Sequence, residues 1–497
     1  MIFLSLDVFV QSVEFRSQPN LVALALSALQ DFDINQLHFV TKYPEHIEQP
    51  YTISIPDYFK MSSADESNSC DDAFPALSFG IEIELLFAFQ EQLIVNVLKR
   101  KHPAASVIKN LTRAQQDACR PKQYPRNPYN SWALLNAGTN PTTLRTSVTT
   151  PEGEIRAYLD EPMELVSEIL AATVEHKINN PVNDGAIPDY STWNIGSDNS
   201  IVALPSSKKA EALDGRIKDP ADWDTFGLEL ISPPHTDIST AEEEVSAILS
   251  KLRGTPESTF GILLDDSCGL HVHVGLSDGE ALPIRTLQHI AYMLVVYEEQ
   301  IGLLHDPKRR NRQEEIKSNR KAFLAECPEP VERMVEDEDG NMVVKKFEPL
   351  FTPLEEVRRQ IFDEVDKSDD PYEALKERIG TERSYIVNFK HINRGSGPRT
   401  IEFRQHAASD DPSEIFWWVK FCLGLVQLAM LYEVLGWECP VQDWNDRIDI
   451  EDLLDAMGME DKGKEYYRQK IDRYGAREDC PDRLEYWTEY IDFGDDY

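Results

Sequence analysis

The chain is 497 residues long and 41% hydrophobic, and it carries 50 Lys and Arg against 87 Asp and Glu, a formal net charge of −37. It can bury a large core, with room by length for two or three domains, and so acidic a surface excludes nucleic acid and anionic membrane as partners, since both need basic surface. Seven cysteines, odd in number and without a Cys-x-x-Cys spacing, fit reduced thiols in a cytoplasmic protein better than a disulfide framework.

Residues 1–10 contain Asp7 and no basic start, so no signal peptide is expected. Residues 1–60 mix apolar clusters with turns near Pro44 and Pro50, and 61–72, rich in Ser, Asp and Asn, read as a linker. The expected layout is an N-terminal extension over 1–73, a catalytic body over 74–440 and an acidic helical segment over 441–497. Gly80-Ile81-Glu82-Ile83-Glu84-Leu85 alternates apolar and acidic residues, the period of a strand with one polar face. A helix is expected over 162–177, with Leu165, Ile169, Ala172 and Val174 on its apolar side. In the strand 226–232, Glu229 stands alone among apolar residues ahead of Pro233 and Pro234, which cannot donate to a ladder. It is either an edge-strand carboxylate facing water or one that is paired or coordinated. Gly269-Leu270-His271-Val272-His273-Val274 repeats the alternation with imidazoles. A helix over 284–304 leads to the basic run Lys308-Arg309-Arg310-Asn311-Arg312, read either as a solvated helix end favoured by the dipole or as a phosphate-binding group. Asp339-Gly340 between two short arms at 333–347 signals a hairpin on an insertion near 330–370, followed by a helix over 355–366. The third alternating strand is Thr400-Ile401-Glu402-Phe403-Arg404-Gln405-His406. The most apolar stretch, 421–435, is interrupted by Gln427 and Glu433 and is too short to span a bilayer, so it reads as a buried helix. Two further helices are expected over 450–474.

Taken singly, each alternating strand is also the pattern of an ordinary half-exposed sheet. Together they are not ordinary. If the three are neighbours, Glu82, Glu84, His271, His273, Glu402 and Arg404 converge on one patch. Two carboxylates about 4 Å apart repel by about 4 kcal/mol at an effective dielectric near 20, so three glutamates there imply a bound cation. Carboxylate-rich ligation with one or two imidazoles suits Mg²⁺ or Mn²⁺ better than zinc. No Gly-x-x-x-x-Gly-Lys-Ser/Thr loop and no strand-linked Gly-x-Gly-x-x-Gly occurs, so phosphates would be met by metal and by arginines such as Arg309, Arg310, Arg320, Arg383 and Arg399.

These strands, in this order and over about 79–421, resemble the amidoligase family, a branch of the carboxylate-amine ligases related to glutamine synthetase and glutamate-cysteine ligase. The resemblance rests on Gly-x-Glu-x-Glu, Glu-Leu-Ile-Ser-Pro, His-x-His-x-Gly and Arg-Thr-Ile-Glu-Phe-Arg-Gln-His, and extends to residues 191–200, with Trp193, Asp198 and Ser200, and to Arg383, Tyr385 and Asn388. It implies an α+β, glutamine-synthetase-like fold: a curved, mainly antiparallel sheet with helices packed on one side and an active-site funnel on the other. It further implies ATP and two divalent ions, Mg²⁺ or Mn²⁺, with Glu82, Glu84, Glu229, His271 or His273, and Glu402 as ligands. Arg404 would face the phosphoryl group in transfer, with Arg399 nearby and Arg309, Arg310 and Arg383 toward nucleotide. The implied substrates are a small-molecule or peptide carboxylate and an amine, joined through an acyl phosphate. Two rivals share these residues: a non-catalytic nucleotide- or metal-binding protein of the same fold, and a cupin-like metal enzyme in which Asp278 would stand where a further acidic ligand is expected.

Overall fold

The computed structural model describes residues 75–101, 107–110, 146–150, 153–156, 160–179, 190–198, 200–201, 222–309, 316–323, 331–336, 342–349, 352–380, 382–393, 395, 399–441, 449–475 and 487–489. The N-terminal extension, Arg310 and the cysteines at 70, 119, 327 and 480 lie outside them. The three described cysteines, Cys268, Cys422 and Cys439, are buried free thiols. The chain forms two compact units, one of 1–75 with 451–458 and one of 76–450 with 459–497. The second carries the sheet.

The central strand β1 (Leu77–Gln90) runs directly into α1 (Glu91–Lys101), whose acidic first turn and basic last turn complement the helix dipole. Then β2 (Val107–Asn110), β3 (Thr146–Thr150) and β4 (Gly153–Arg156) make a small antiparallel sheet. The helix expected over 162–177 is shorter: α2 (Asp160–Leu170) ends in a turn, and β5 (His176–Ile178) pairs in parallel with β6 (Trp193–Ser197). The β-branched Thr173 and Val174 open that break, and a sheet edge outweighs the weak helical preference beyond it. β7 (Trp223–Ile231) precedes α3 (Ile238–Arg253), whose cap Asp237 accepts from Thr240 N at 2.7 Å. After β8 (Phe260–Leu263) and β9 (Gly269–Leu276) comes α4 (Ile284–Gly302). The expected hairpin is present as β10 (Val331–Glu336) paired with β11 (Met342–Pro349), its turn lying outside the described residues. α5 (Leu354–Arg359), continued as a π turn, and α6 (Pro371–Ile379) lead to β12 (Val387–Asn388) and β13 (Ile401–Ala407). α7 (Pro412–Leu435), α8 (Ile450–Ala456), α9 (Asp461–Gly475) and β14 (Trp487–Glu489) complete the chain, β14 pairing with β11.

The fold is mixed α and β around a mostly antiparallel, open sheet ordered β12-β13-β9-β1-β7-β6-β5. β1 is long enough to pair with β9 along its first half and β8 along its second. Its odd-numbered residues Ile81, Ile83, Leu85, Phe87 and Phe89 form a buried apolar ridge. α7 packs across β1 and β9, flanked by α3 and α4; by length and composition it could cross a membrane, yet 78% of its most apolar stretch is buried, as expected of a core helix. At the outer edge the Asn319 side chain accepts from Val387 N at 2.9 Å and donates to Val387 O at 3.0 Å, satisfying groups that an open edge strand leaves exposed. The ladder between β13 and β9 has one irregularity: Phe403 pairs with Val272 but His406 with Leu270, so β13 carries an extra residue there, a bulge.

Candidate active site

β13, β9, β1 and β7 are consecutive in the sheet, and the register sets their polar residues side by side: Glu402 opposite His273, His271 opposite Glu82, and Glu84 opposite Glu229. Directly opposed side chains on one face come within about 5 Å at Cβ, and here their polar ends meet. His271 Nδ1 is 3.1 Å from Glu82 and 3.5 Å from Glu402, and its Nε2 is 3.6 Å from Glu84. His273 Nε2 is 3.0 Å from Glu82 Oε1 but out of line for a hydrogen bond, leaving that buried nitrogen without one among the described residues. Its Nδ1 is 3.2 Å from Thr400 Oγ1, which fixes the ring.

The donors fall into two sets, each with ligand atoms within 4.8 Å of one another: Glu82, His273 and Glu402, and beside them Glu84, Asp198 and Glu229. His271 stands between the sets. Asp198 was not among the expected ligands. It lies just past the end of β6, where no alternation marks it, and only the Trp193, Asp198, Ser200 segment pointed there. Gly227 brings it in: a Cβ there would come within 2.6 Å of Asp198 O and 2.9 Å of Ile201 Cβ, so the chain after β6 can cross β7 only over a glycine. Asp198 Oδ1 also accepts from Ser200 N at 2.6 Å.

Beyond Glu84 the same face of β1 changes character. Leu86 and Ala88 pack with Ile201, Trp223, Leu263, Cys268 and Ala408, an apolar plug that closes the floor. Glu84 sits against that plug at 4% exposure and accepts from Gly269 N at 2.6 Å. A Cβ at residue 269 would meet Glu84, Arg309 and His271 atoms at 3.0 Å or less, so glycine is required for these three to converge.

Charge separates the sets. Burial pushes the Glu229 carboxyl well above its ordinary value, and Glu82, Asp198 and Glu84 push it further. Burial likewise raises Glu84, with Asp198 adding to it against His271, Arg404 and Arg309. For Glu82, burial also acts upward, but the imidazoles of His273 and His271 more than offset it and hold the carboxyl well below the usual range. Glu402 is lowered in the same sense, Arg404 and His273 outweighing burial.

Arg404 Nη1 donates to Glu402 Oε1 and lies 3.4 Å from His271 Nδ1; its Nε is buried without a hydrogen-bond partner among the described residues. Asn388, on the edge strand, donates to Glu402 Oε2 at 2.7 Å. Arg309 is not at a solvated helix end. It is 7% exposed, and its Nη2 donates to the carbonyls of Arg404 and His406 at 3.1 and 3.3 Å; the chain after α4 folds under the sheet instead of stopping at the surface. Arg383 is exposed, yet close enough that its charge opposes the rise at Glu229. Arg399 pairs with Glu280 at 2.6 Å, and Arg320 is buried with Glu299 at 3.5 Å. Asp278 is exposed and accepts from Glu280 N in the turn after β9, which leaves the cupin-like set without its further acid.

A family model described as "putative amidoligase enzyme" matches residues 75–426. No curated protein and no solved structure matches.

Proposed function

The chain belongs to the amidoligase family, and from that premise we propose that it is an ATP-dependent carboxylate–amine ligase working through an acyl phosphate. The observation that carries the reading is the pair of three-donor sets side by side on one sheet face, with a guanidinium against one of them. Oxygen-rich donors with a single imidazole match the preferences of Mg²⁺ or Mn²⁺. Arg404 Nε, a donor without a hydrogen-bond partner among the described residues, suits a phosphate oxygen, and His273 Nε2, close to Glu82 but out of line for a hydrogen bond, suits a cation. Glu82, His273 and Glu402 would hold one ion, and Glu84, Asp198 and Glu229 the other. Such ions neutralise phosphate oxygens and orient them. This supports a glutamine-synthetase-like arrangement in which the helix-covered face is the core and the acidic face the funnel.

An amide does not form from a carboxylate in water without activation, and moving the ATP γ-phosphoryl group onto the carboxylate supplies it. That transfer is mainly positioning and charge neutralisation. Arg404 is placed to meet charge developing on the phosphoryl oxygens, while Glu402 and Asn388 hold it in place. The apolar plug behind Glu84 excludes water, against which the acyl phosphate must survive until the amine arrives. The substrates are a small-molecule or peptide acid and an amine, in a cytoplasmic setting that supplies ATP and keeps thiols reduced.

Hydroxylamine tests the reaction. With ATP, Mg²⁺ and a panel of amino acids, peptides and cell-wall acids, the expected products are a hydroxamate and ADP, with one ¹⁸O passing from labelled carboxylate into phosphate. A folded protein that binds ATP and metal but yields neither product across the panel would be a binding protein, and the ligase reading would fall.

A further inference from the structure

An unbroken period of two would put His406 on the same face as Glu402 and Arg404. The bulge between Phe403 and His406 turns the imidazole to the back of the sheet instead. There it is 3% exposed, its ring centroid 5.6 Å from that of Trp418 and 5.4 Å from that of His305. Lys470, from α9, approaches His406 Nε2 to 2.8 Å and Glu414 to 2.8 Å. Glu414 also accepts from Ser409 and Tyr466. With Nε2 accepting from the ammonium, the His406 proton sits on Nδ1, which donates to Ala407 O at 2.6 Å. Burial and the Lys470 charge keep that imidazole neutral, pushed down to about 3. The two carbonyls at the bulge, of Arg404 and His406, are the ones that Arg309 holds.

We infer that Lys470 is a positioning residue for the active site: α9, which lies beyond the family-matched residues, clamps the bulge from behind through His406 and so fixes Arg404 and Arg309. A lysine buried to 7% exposure is costly unless its charge is used. Glu414 neutralises it, and the imidazole is a further partner that neutralisation alone does not require. Tyr467 seats the helix, donating to Trp417 O at 2.8 Å and stacking edge-on against Phe421, so Lys470 is aimed by packing and not by its own bonds alone.

The inference rests on the ligase reading for its consequence, and the test separates the two. Full-length wild type, Lys470→Met, Arg404→Ala and the double variant are titrated with MgADP, with and without aluminium fluoride, a stand-in for the phosphoryl group in transfer. Fluoride should tighten MgADP binding to wild type. Lys470→Met should lose about tenfold of that gain, with MgADP alone unchanged, and the double variant should lose no more than Arg404→Ala, because Lys470 acts through it. Lys470→Arg should restore the gain. Additive losses, or an undiminished gain in Lys470→Met, overturn the inference. If wild type gains nothing from fluoride, the ligase reading falls and hydrogen exchange decides the clamp: faster exchange at residues 404–407 in Lys470→Met sustains it, and unchanged exchange overturns it. Should Lys470→Met not fold, Glu414→Gln combined with Lys470→Met removes the buried lysine and its half-buried partner together and is judged by the same outcomes.

Discussion

Glu82 and Glu84 are two residues apart on one strand, yet their surroundings drive them in opposite directions. Glu84 and Glu229 have raised folded-state values, so they stabilise the metal-free protein below the ordinary 4.5, and that contribution is lost as pH rises through the folded value. Glu82 and Glu402 are lowered; their contribution is present above 4.5 and lost as pH falls through the folded value. In metal-stripped protein at neutral pH, Glu84→Gln and Glu229→Gln should therefore raise the melting temperature by about 2–4 °C, whereas Glu82→Gln and Glu402→Gln should lower it by a similar amount. Shifts of one sign for all four, read by calorimetry, would contradict this division. The simpler expectation, that removing any like charge relieves repulsion, misses the two imidazoles beside Glu82. Arg404 makes a separate prediction: Arg404→Ala should cut hydroxamate formation about 100-fold or more with ATP affinity little changed, because it meets charge that develops only in transfer. Glu402→Ala should lower both. An Arg404→Ala protein with normal turnover per folded molecule and a much lower melting temperature would make Arg404 structural.

The strands were legible because a period of two survives translation into structure. Glu82, Glu84, Glu229, His271, His273, Glu402 and Arg404 all lie on one face of four adjacent strands. The residues whose contacts the period could not give lie where no alternation runs. Asp198 follows a strand end, Arg309 follows a helix end, and Asn388 and Thr400 flank the last strand; each reaches the site by chain path. The helix expected to reach 177 stopped at Leu170, since pairing of His176–Ile178 with β6 is a tertiary gain invisible to local pattern. Gly227 is the element-scale counterpart. Gly227→Val would collide with Asp198 O and Ile201 and displace the segment after β6, so calorimetry should find one Mn²⁺ site lost and the Glu82, His273, Glu402 set still binding. Two intact sites in that variant would remove Asp198 from the ligand set.

For the whole molecule, composition spoke to class but not to arrangement. A net charge of −37 draws divalent cations toward the surface and repels a free nucleotide, which favours metal-bound ATP as the form that arrives. The insertion hairpin and the C-terminal segment looked separate in sequence, but β11 and β14 pair, and α9 places Lys470 behind the last metal-facing strand. No local pattern announces a lysine that meets a histidine on the back of the sheet.

The bulge in β13 makes the length of that strand a heritable quantity in its own right. Most single substitutions near it change one side chain, but losing one residue between Phe403 and His406 would restore a regular ladder: His406 would stay on the back of the sheet opposite Leu270 and beside Lys470, while the bulge that presents the Arg404 and His406 carbonyls to Arg309 would be gone. Natural variation here should consist of replacements and not of insertions or deletions. A Gln405 deletion should accumulate as folded protein, as Gln405→Ala does, yet form far less hydroxamate; equal hydroxamate formation by the two variants would mean that the bulge does not set Arg309.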